Sequence, residues 1–478
     1  MEIIEGDSMA KDFVVFLSDQ HRADAVSWEN NEIRTPCLDR IREEGVTFNS
    51  AYTSSPLCVP ARCSMLSSML PSKTGIYTNG DCLKEDLPTF LHSLAISGYE
   101  TVLCGRMHFV GYDQRHGFTK RIAPDITNIF WGANKAFKNE LGQFASSFAE
   151  PGCLNLVGKG SSPIAEYDEM VVNTALEYLK KPHEKPQCIV IGTYAPHFPY
   201  VGENELFDFY YNTITDCEEK TIDYKPMNHK KQECSQEKLR KARASYYAMV
   251  TQMDSLIGKV YDAFQEYLDT NNREGIFAYL SDHGDMLGEK GMFAKKSFFD
   301  ASSRIPMLFA GDGVQKGQVI DAPVSIMDLG PTLVDIANAD KLDDIDGVSL
   351  KTSLFEGTNN YERIVLSEVA DTTGDTLYIG RMARYKDMKL IKYNHDSQSL
   401  CFNLKNDKEE ENNLSESLFD QSIKEKAFSD WNIDEIEKTF LINKKHHSIL
   451  SKWGALFESE PVKERWHVPA SYKEEIIE

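Results

Sequence analysis

The sequence predicts an α/β fold with a largely parallel sheet, on three observations. Short β-rich apolar runs recur and each ends in a polar cluster, helical stretches separate them, and the residues able to do chemistry fall just beyond the runs. In chain order the runs are Phe13–Leu17 before Ser18-Asp19, Thr101–Cys104 before Gly105-Arg106, Cys188–Thr193 before Tyr194, and Ile276–Leu280 before Ser281-Asp282. Continuous apolar runs of this length suit strands buried on both faces. The clearest helix spans Leu239 to Leu268, where Tyr246, Val250, Met253, Ile257 and Val260 recur at spacings of 4, 3, 4 and 3. From about Tyr361 the pattern changes to short alternating runs (RIVLSE, LYIGRMARY, KLIKY, LCFNL), then a polar stretch and helical segments. This predicts a catalytic domain over 1–360 and a smaller α+β subdomain over 361–478 with an antiparallel sheet. The EEENN run within the polar stretch reads as a solvated loop.

Composition narrows the function. With 478 residues, 41% hydrophobic and 26% charged, the chain is an ordinary large globule, which excludes disorder, collagen-like repeats and a membrane bundle. Its 52 basic and 74 acidic residues leave a net charge of -22, a field that repels nucleic acid and anionic membrane, so neither is expected as a partner. An anionic substrate then needs a local cluster of cations. The apolar run Phe13–Leu17 is too short for a secretory signal or a membrane span. Ten cysteines (37, 58, 63, 82, 104, 153, 188, 217, 234 and 401) form no CxxC pair, so a cytoplasmic location with reduced thiols is expected.

One cysteine is different. Cys58-Val59-Pro60-Ala61-Arg62, followed by CSMLSSMLPSKTG, reads locally as a loop entering a helix after Pro60, with the Cys58 thiolate favoured at the helix start. The stretch resembles the sulfatase signature C-x-P-x-R, with Leu66, Ser67-Ser68 and Thr74-Gly75 at its later positions. The resemblance extends in order through LSDQHRAD, CGRMHFVG, APHFP, SDHGDMLGEKGMFAKKSFFD, MDLGPTLVDIA and the KLIKY…LCFNLKNDKEEENNL tail. It implies an alkaline-phosphatase-like sandwich and a sulfuric ester hydrolase that cleaves the sulfate monoester of a small molecule or sugar. It also implies that Cys58 is converted by a formylglycine-generating maturation enzyme to 3-oxoalanine (formylglycine). The gem-diol of that residue would be the nucleophile, and a covalent sulfo-enzyme would be the intermediate.

The resemblance further implies one divalent metal ion on Asp19, Asp282, His283 and an oxygen of residue 58. Gln20 and His283 stand where the commonest pattern has aspartate and asparagine. An Asp/Asp/His set fits Mn or Mg better than Ca, although Ca stays open. Arg62, one helical turn past Cys58, would hold the formylglycine oxygen and the sulfate. Lys295, rather than Lys296, matches the catalytic lysine, and with His197 it would protonate the leaving alcohol. His108 would take the proton of the second diol hydroxyl. Gln20, Asn79 and Arg106 are expected on the substrate side. His116 lies in a segment similar to choline sulfatases, with a structural role equally open.

The DQ and DH pairs also resemble phosphonate monoester hydrolases, so hydrolysis of a phosphonate monoester or phosphodiester is the alternative. Arg106-x-His108 favours sulfate, because the phosphonate enzymes carry uncharged groups there. Trp431, Trp453 and Trp466 are candidates to cage a quaternary ammonium, with core packing the commoner role. A homo-oligomer is compatible with the sequence, with its contact expected in the C-terminal subdomain.

Overall fold

Burial on both faces makes strands of the four apolar runs. The computed structural model describes residues 10–127, 131, 140–148, 152–215, 232–395, 399–457 and 465–478; Cys217 lies outside the described residues. The runs become Asp12–Asp19 (β1), Glu100–Gly105 (β3), Gln187–Pro196 (β5) and Gly275–Ser281 (β6). Gly45–Phe48 (β2), Lys120–Ala123 (β4), Met307–Gly311 (β7) and Gln318–Ile320 (β8) join them in an eight-stranded sheet of order β8-β2-β7-β6-β1-β5-β3-β4. β1 pairs in parallel with both β5 and β6, and β7 alone runs against its neighbours. Strand period places alternate β1 side chains on opposite faces. Phe13, Val15 and Leu17 join one apolar layer, and Val14 and Phe16 join the other.

Helices cover both layers. Cys58–Ser67 (α1) packs Val59, Cys63, Met65 and Leu66 into the first. Pro163–Leu179 (α2) and Gln236–Asn271 (α3) cover the second, and all five residues of the predicted stripe on α3 are buried. α3 begins one turn before the periodic stretch because the Ser235 side chain accepts from Lys238 N. It ends where Asn272 turns left-handed at φ 50°.

The alternating runs near the C-terminus form the antiparallel meander Ile364–Thr373 (β9), Thr376–Tyr385 (β10), Met388–Tyr393 (β11) and Leu400–Asn403 (β12). Helix Ile433–Gly454 (α4) follows. Two buried cations of this sheet reach outward. Arg381 Nε donates to Glu368 Oε1 at 2.9 Å, and the other oxygen of Glu368 accepts from Ser72 N at 2.8 Å. Lys389 donates to Phe298 O at 2.9 Å, Glu410 Oε1 at 2.6 Å and Asp300. Glu410 corrects the reading of EEENN as a solvated loop. The run is a loop, but Glu410 turns inward to meet a lysine that the sheet has buried. No helix among the described residues is long and apolar enough to cross a membrane.

Candidate active site

The carboxyl ends of four adjacent strands deliver the site. Asp19 ends β1, Arg106 follows β3, His197 follows β5, and Asp282 and His283 follow β6. α1 closes the group from one side. Cys58 is its first residue, so the helix begins before Pro60 rather than after it. No side chain of Leu57 caps this helix, and Asn79 Oδ1 accepts from Val59 N at 3.1 Å instead. A buried helix N-terminus favours negative charge on residue 58.

Four donor atoms, one each from Asp19, Cys58, Asp282 and His283, lie within 4.8 Å of one another, and all four residues are buried. His283 donates Nδ1–H to Gly284 O at 3.0 Å, which leaves the Nε2 lone pair toward the cluster, 3.6 Å from Asp282 Oδ1 and 3.8 Å from Asp19 Oδ1. Burial, then the neighbouring Asp19 carboxylate, pushes the Asp282 carboxyl up. Two buried carboxylates and an imidazole lone pair aimed at one point fit a divalent cation, whose charge relieves that repulsion. The Cys58 sulfur stands where an oxygen of the converted residue would be.

Cations surround the cluster. Arg106 Nε donates to Asp19 Oδ2 at 2.8 Å, and its plane lies over the Tyr194 ring at 4.7 Å. Burial and Cys58 push the Asp19 carboxyl up, but Arg106, His197 and Lys295 outweigh them and hold it well below the usual range. Arg106 Nη1 is buried with no hydrogen-bond partner, 4.0 Å from Asp125. Lys295 Nζ donates to Cys58 Sγ at 3.1 Å, Gln20 Oε1 at 2.9 Å and His197 Nε2 at 2.6 Å. Lys296 turns away to pair with Asp371. Despite burial, Lys295 and His283 hold the Cys58 thiol well below its ordinary value.

The histidines differ in tautomer. His197 donates Nδ1–H to Phe198 O at 2.6 Å, so Nε2 accepts a hydrogen bond from Lys295 Nζ. Burial and the Lys295 charge push it down to about 4. His108 accepts at Nδ1 from Arg106 Nη2 at 3.0 Å, and burial with the Arg106 charge lowers it too.

Three residues are placed differently from the sequence expectation. Arg62 donates Nε to Asp282 Oδ2 at 2.8 Å, Nη2 to Asp19 Oδ2 at 3.1 Å and Nη1 to Arg106 O at 3.1 Å. Its bonds brace the Asp19 and Asp282 carboxylates, because both turn one oxygen back toward α1. Gln20, expected on the substrate side, is buried with both ends of its amide engaged by Asp285 and Lys295. His197 accepts from Lys295, which leaves Lys295 as the donor of the pair. Asn79 is held beside residue 58 through the bond its Oδ1 accepts from Val59 N.

Sequence reasoning missed the carboxylates that hold the strand ends. Asp125 accepts from Met107 N at 2.9 Å and His108 N at 2.8 Å. Asp168 accepts from Tyr194 N at 2.7 Å and Ala195 N at 2.8 Å, just before His197. Neither carries a sequence signal, whereas Asp285 sits inside the quoted SDHGD block. His116 is outside the cluster, packed on Phe109 and 3.2 Å from Asp113. Trp431 packs on Phe428 and Trp466 on Tyr167, and Trp453 meets Tyr112.

The chain is similar to known proteins in sequence and in fold. The family model described as sulfatase matches residues 11–339, and a model for the C-terminal part of N-sulphoglucosamine sulphohydrolase matches residues 288–432. A choline-sulfatase of Rhizobium meliloti (strain 1021) is 30% identical over 386 residues, 74% of this chain and 73% of that one. Two solved structures share the fold. One was determined with its substrate D-glucosamine-2-N,6-O-disulfate (TM-score 0.67, 20% identity, 91% of this chain and 98% of that one). The other is the phosphonate monoester hydrolase of Agrobacterium radiobacter (TM-score 0.67, 16% identity, 91% and 96%). The architecture is thus the alkaline-phosphatase-like one, and the match over residues 11–339 establishes that this chain belongs to the sulfatase family, enzymes that hydrolyse sulfate esters.

Proposed function

We propose that this sulfatase cleaves the sulfate monoester of a small molecule or sugar through a formylglycine at residue 58. The observation that carries the reading is Cys58 at the head of a buried helix, 3.3 Å from His283 Nε2 and 3.1 Å from Lys295 Nζ. A divalent cation held by Asp19, Asp282, His283 and residue 58 supplies positive charge against which one anion can approach another. Mn or Mg suits the set best, with Ca open.

Conversion of Cys58 by a maturation enzyme, with an external two-electron oxidant, oxidises the Cβ and expels the sulfur, leaving an aldehyde that adds water to give a diol. One hydroxyl gives up its proton and attacks sulfur, and the bond from sulfur to the alcohol oxygen breaks as that oxygen takes up a proton, so the half-reaction neither gains nor loses a proton overall. Lys295 lies beside residue 58 and supplies the proton that neutralises the departing oxygen. His197 is neutral and accepts from Lys295, so it orients that ammonium. Arg106 and Asn79 then hold sulfate oxygens. In the second half His108, kept neutral by burial and Arg106, takes the proton of the remaining hydroxyl at Nε2. Because Nδ1 accepts from Arg106 Nη2 in the resting site, this step requires Arg106 to release Nδ1 and the ring to carry its proton there. The bond from carbon to the sulfate oxygen breaks, sulfate leaves, and the aldehyde returns.

The similarity to a choline-sulfatase supports a small ester as substrate. A cytoplasmic location, a homo-oligomer joined through the C-terminal part, and the domain division at 360/361 belong to the same proposal. The test is the ratio of kcat/KM for an aryl sulfate to that for an aryl phosphonate monoester. The protein used must have formylglycine at residue 58 by mass spectrometry, with Cys58→Ala as control. A preference for sulfate is expected, and a preference for phosphonate would assign the site to phosphorus chemistry.

A further inference from the structure

Asp285 is a buried carboxylate that the reaction above does not use. Its Oδ1 accepts from Leu287 N at 2.9 Å and Ala294 N at 3.0 Å. Its Oδ2 accepts from Tyr200 OH at 2.7 Å and Gln20 Nε2 at 2.5 Å. Four donors on one carboxylate satisfy a charge that would otherwise be costly to bury. Gln20 is equally buried, and the two ends of its amide have opposite sense. With Nε2 on Asp285, Oε1 faces Lys295 Nζ at 2.9 Å. A carboxylate only accepts and an ammonium only donates, so this is the one orientation that pairs both ends.

The backbone holds the same arrangement. Gln20 sits at φ 69°, in the left-handed region, with its N–H on Asp282 Oδ1 at 3.1 Å and its carbonyl accepting from Tyr246 OH at 2.6 Å. Lys295 lies between two more left-handed residues, Ala294 at φ 62° and Lys296 at φ 74°. The first of these is held by Asp285 itself. Asp285 therefore reaches Lys295 by two routes, the Gln20 amide and the Ala294 backbone.

We infer that Asp285 is a positioning residue for Lys295, acting through Gln20 to aim the ammonium at the leaving oxygen of the ester. The inference rests on the role of Lys295 proposed above. In this arrangement Gln20 transmits orientation from Asp285 to Lys295. Asp285→Asn supplies a donor as well as an acceptor, so the Gln20 amide can turn over and present Nε2 to the ammonium. Gln20→Met removes the link and leaves the bonds of Asp285 to Tyr200, Leu287 and Ala294.

The experiment measures kcat/KM for aryl sulfates from 4-nitrophenyl to unsubstituted phenyl with the unaltered enzyme, Asp285→Asn, Gln20→Met and Lys295→Ala. Metal content and formylglycine at residue 58 are quantified for each. Losing one charge-assisted hydrogen bond corresponds to about tenfold to hundredfold in rate. The expected loss of that size falls on phenyl sulfate, whose leaving oxygen needs neutralising most, and is much smaller on 4-nitrophenyl sulfate, with metal and formylglycine unchanged. Equal losses across the series, or a fall in metal or formylglycine that parallels activity, would overturn the inference. If Asp285→Asn does not fold, Gln20→Met decides alone. A leaving-group-dependent loss in Lys295→Ala but in neither other variant removes the inference and spares the reading of Lys295. No such dependence in Lys295→Ala removes both.

Discussion

Residue 58 concentrates the chemistry because metal-ligand candidates, the Lys295 ammonium and two neutral histidines all lie within reach of it. Lys295 is the most engaged of these, with bonds to Cys58, Gln20 and His197. Removing a group that stabilises developing charge costs about a hundredfold to a thousandfold in kcat, and that is the loss expected for Lys295→Ala with a poor leaving group. His108 is assigned to the second half of the cycle. His108→Ala is therefore expected to form the sulfo-enzyme and stall, with a burst of about one equivalent of alcohol and a sulfate ester on residue 58 by mass spectrometry. A slow but burst-free variant would place His108 in the first half. Because burial and Arg106 lower this histidine, the limb of kcat that reports its protonation should lie below the ordinary histidine value of about 6.5. Activity would be lost as pH falls through it, and a limb above that value would refute the assignment.

At the scale of elements, buried ion pairs brace the site. Arg62 ties β1 and β6 to α1 through Asp19 and Asp282. Arg381 and Glu368 do the same between the β9–β10 hairpin and the helical turn at Ser72. Arg381 is fully buried, so its removal strands the Glu368 carboxylate. Arg381→Met should cost about 3–5 kcal/mol in chemical denaturation, much more than the value of a surface pair. A loss below about 1 kcal/mol would mean that solvent reaches Glu368 in the variant.

For the whole molecule, two consequences follow from what is buried. His21 and His197 are both pushed down to about 4, chiefly by burial. In the unfolded chain they bind protons near 6.5. As pH falls from 6.5 through about 4 the unfolded state takes up protons first, so stability is fully present above 6.5 and declines through that window. Thermal melts across it should show a falling Tm, with a flatter profile for His21→Asn. Chelation should act in the same direction, because removing a cation that binds only the folded state lowers Tm and leaves Asp19 beside Asp282. A Tm that is indifferent to chelator and to added Mn would argue against a cation at these residues.

What the sequence by itself determined was the material that periodicity and local motif encode. Short continuous apolar runs ended by polar clusters suit buried strands, so β1, β3, β5 and β6 were legible, as was the stripe of α3. The signature at Cys58 and the ordered blocks on either side of it named, by resemblance, the residues that gather at the strand ends. Lys295 was separable from Lys296 by the match of its spacing to Phe299-Asp300 with the family pattern. Tertiary structure decided how those residues face one another, because hydrogen-bond sense is set by partners far away in sequence. Asp285 turns the amide of Gln20, Phe198 O sets the tautomer of His197, and both carboxylates of the cluster turn an oxygen to Arg62. The inward turn of Glu410 belongs to the same class, since a polar run looks solvated until a buried lysine, delivered by another strand, needs its charge.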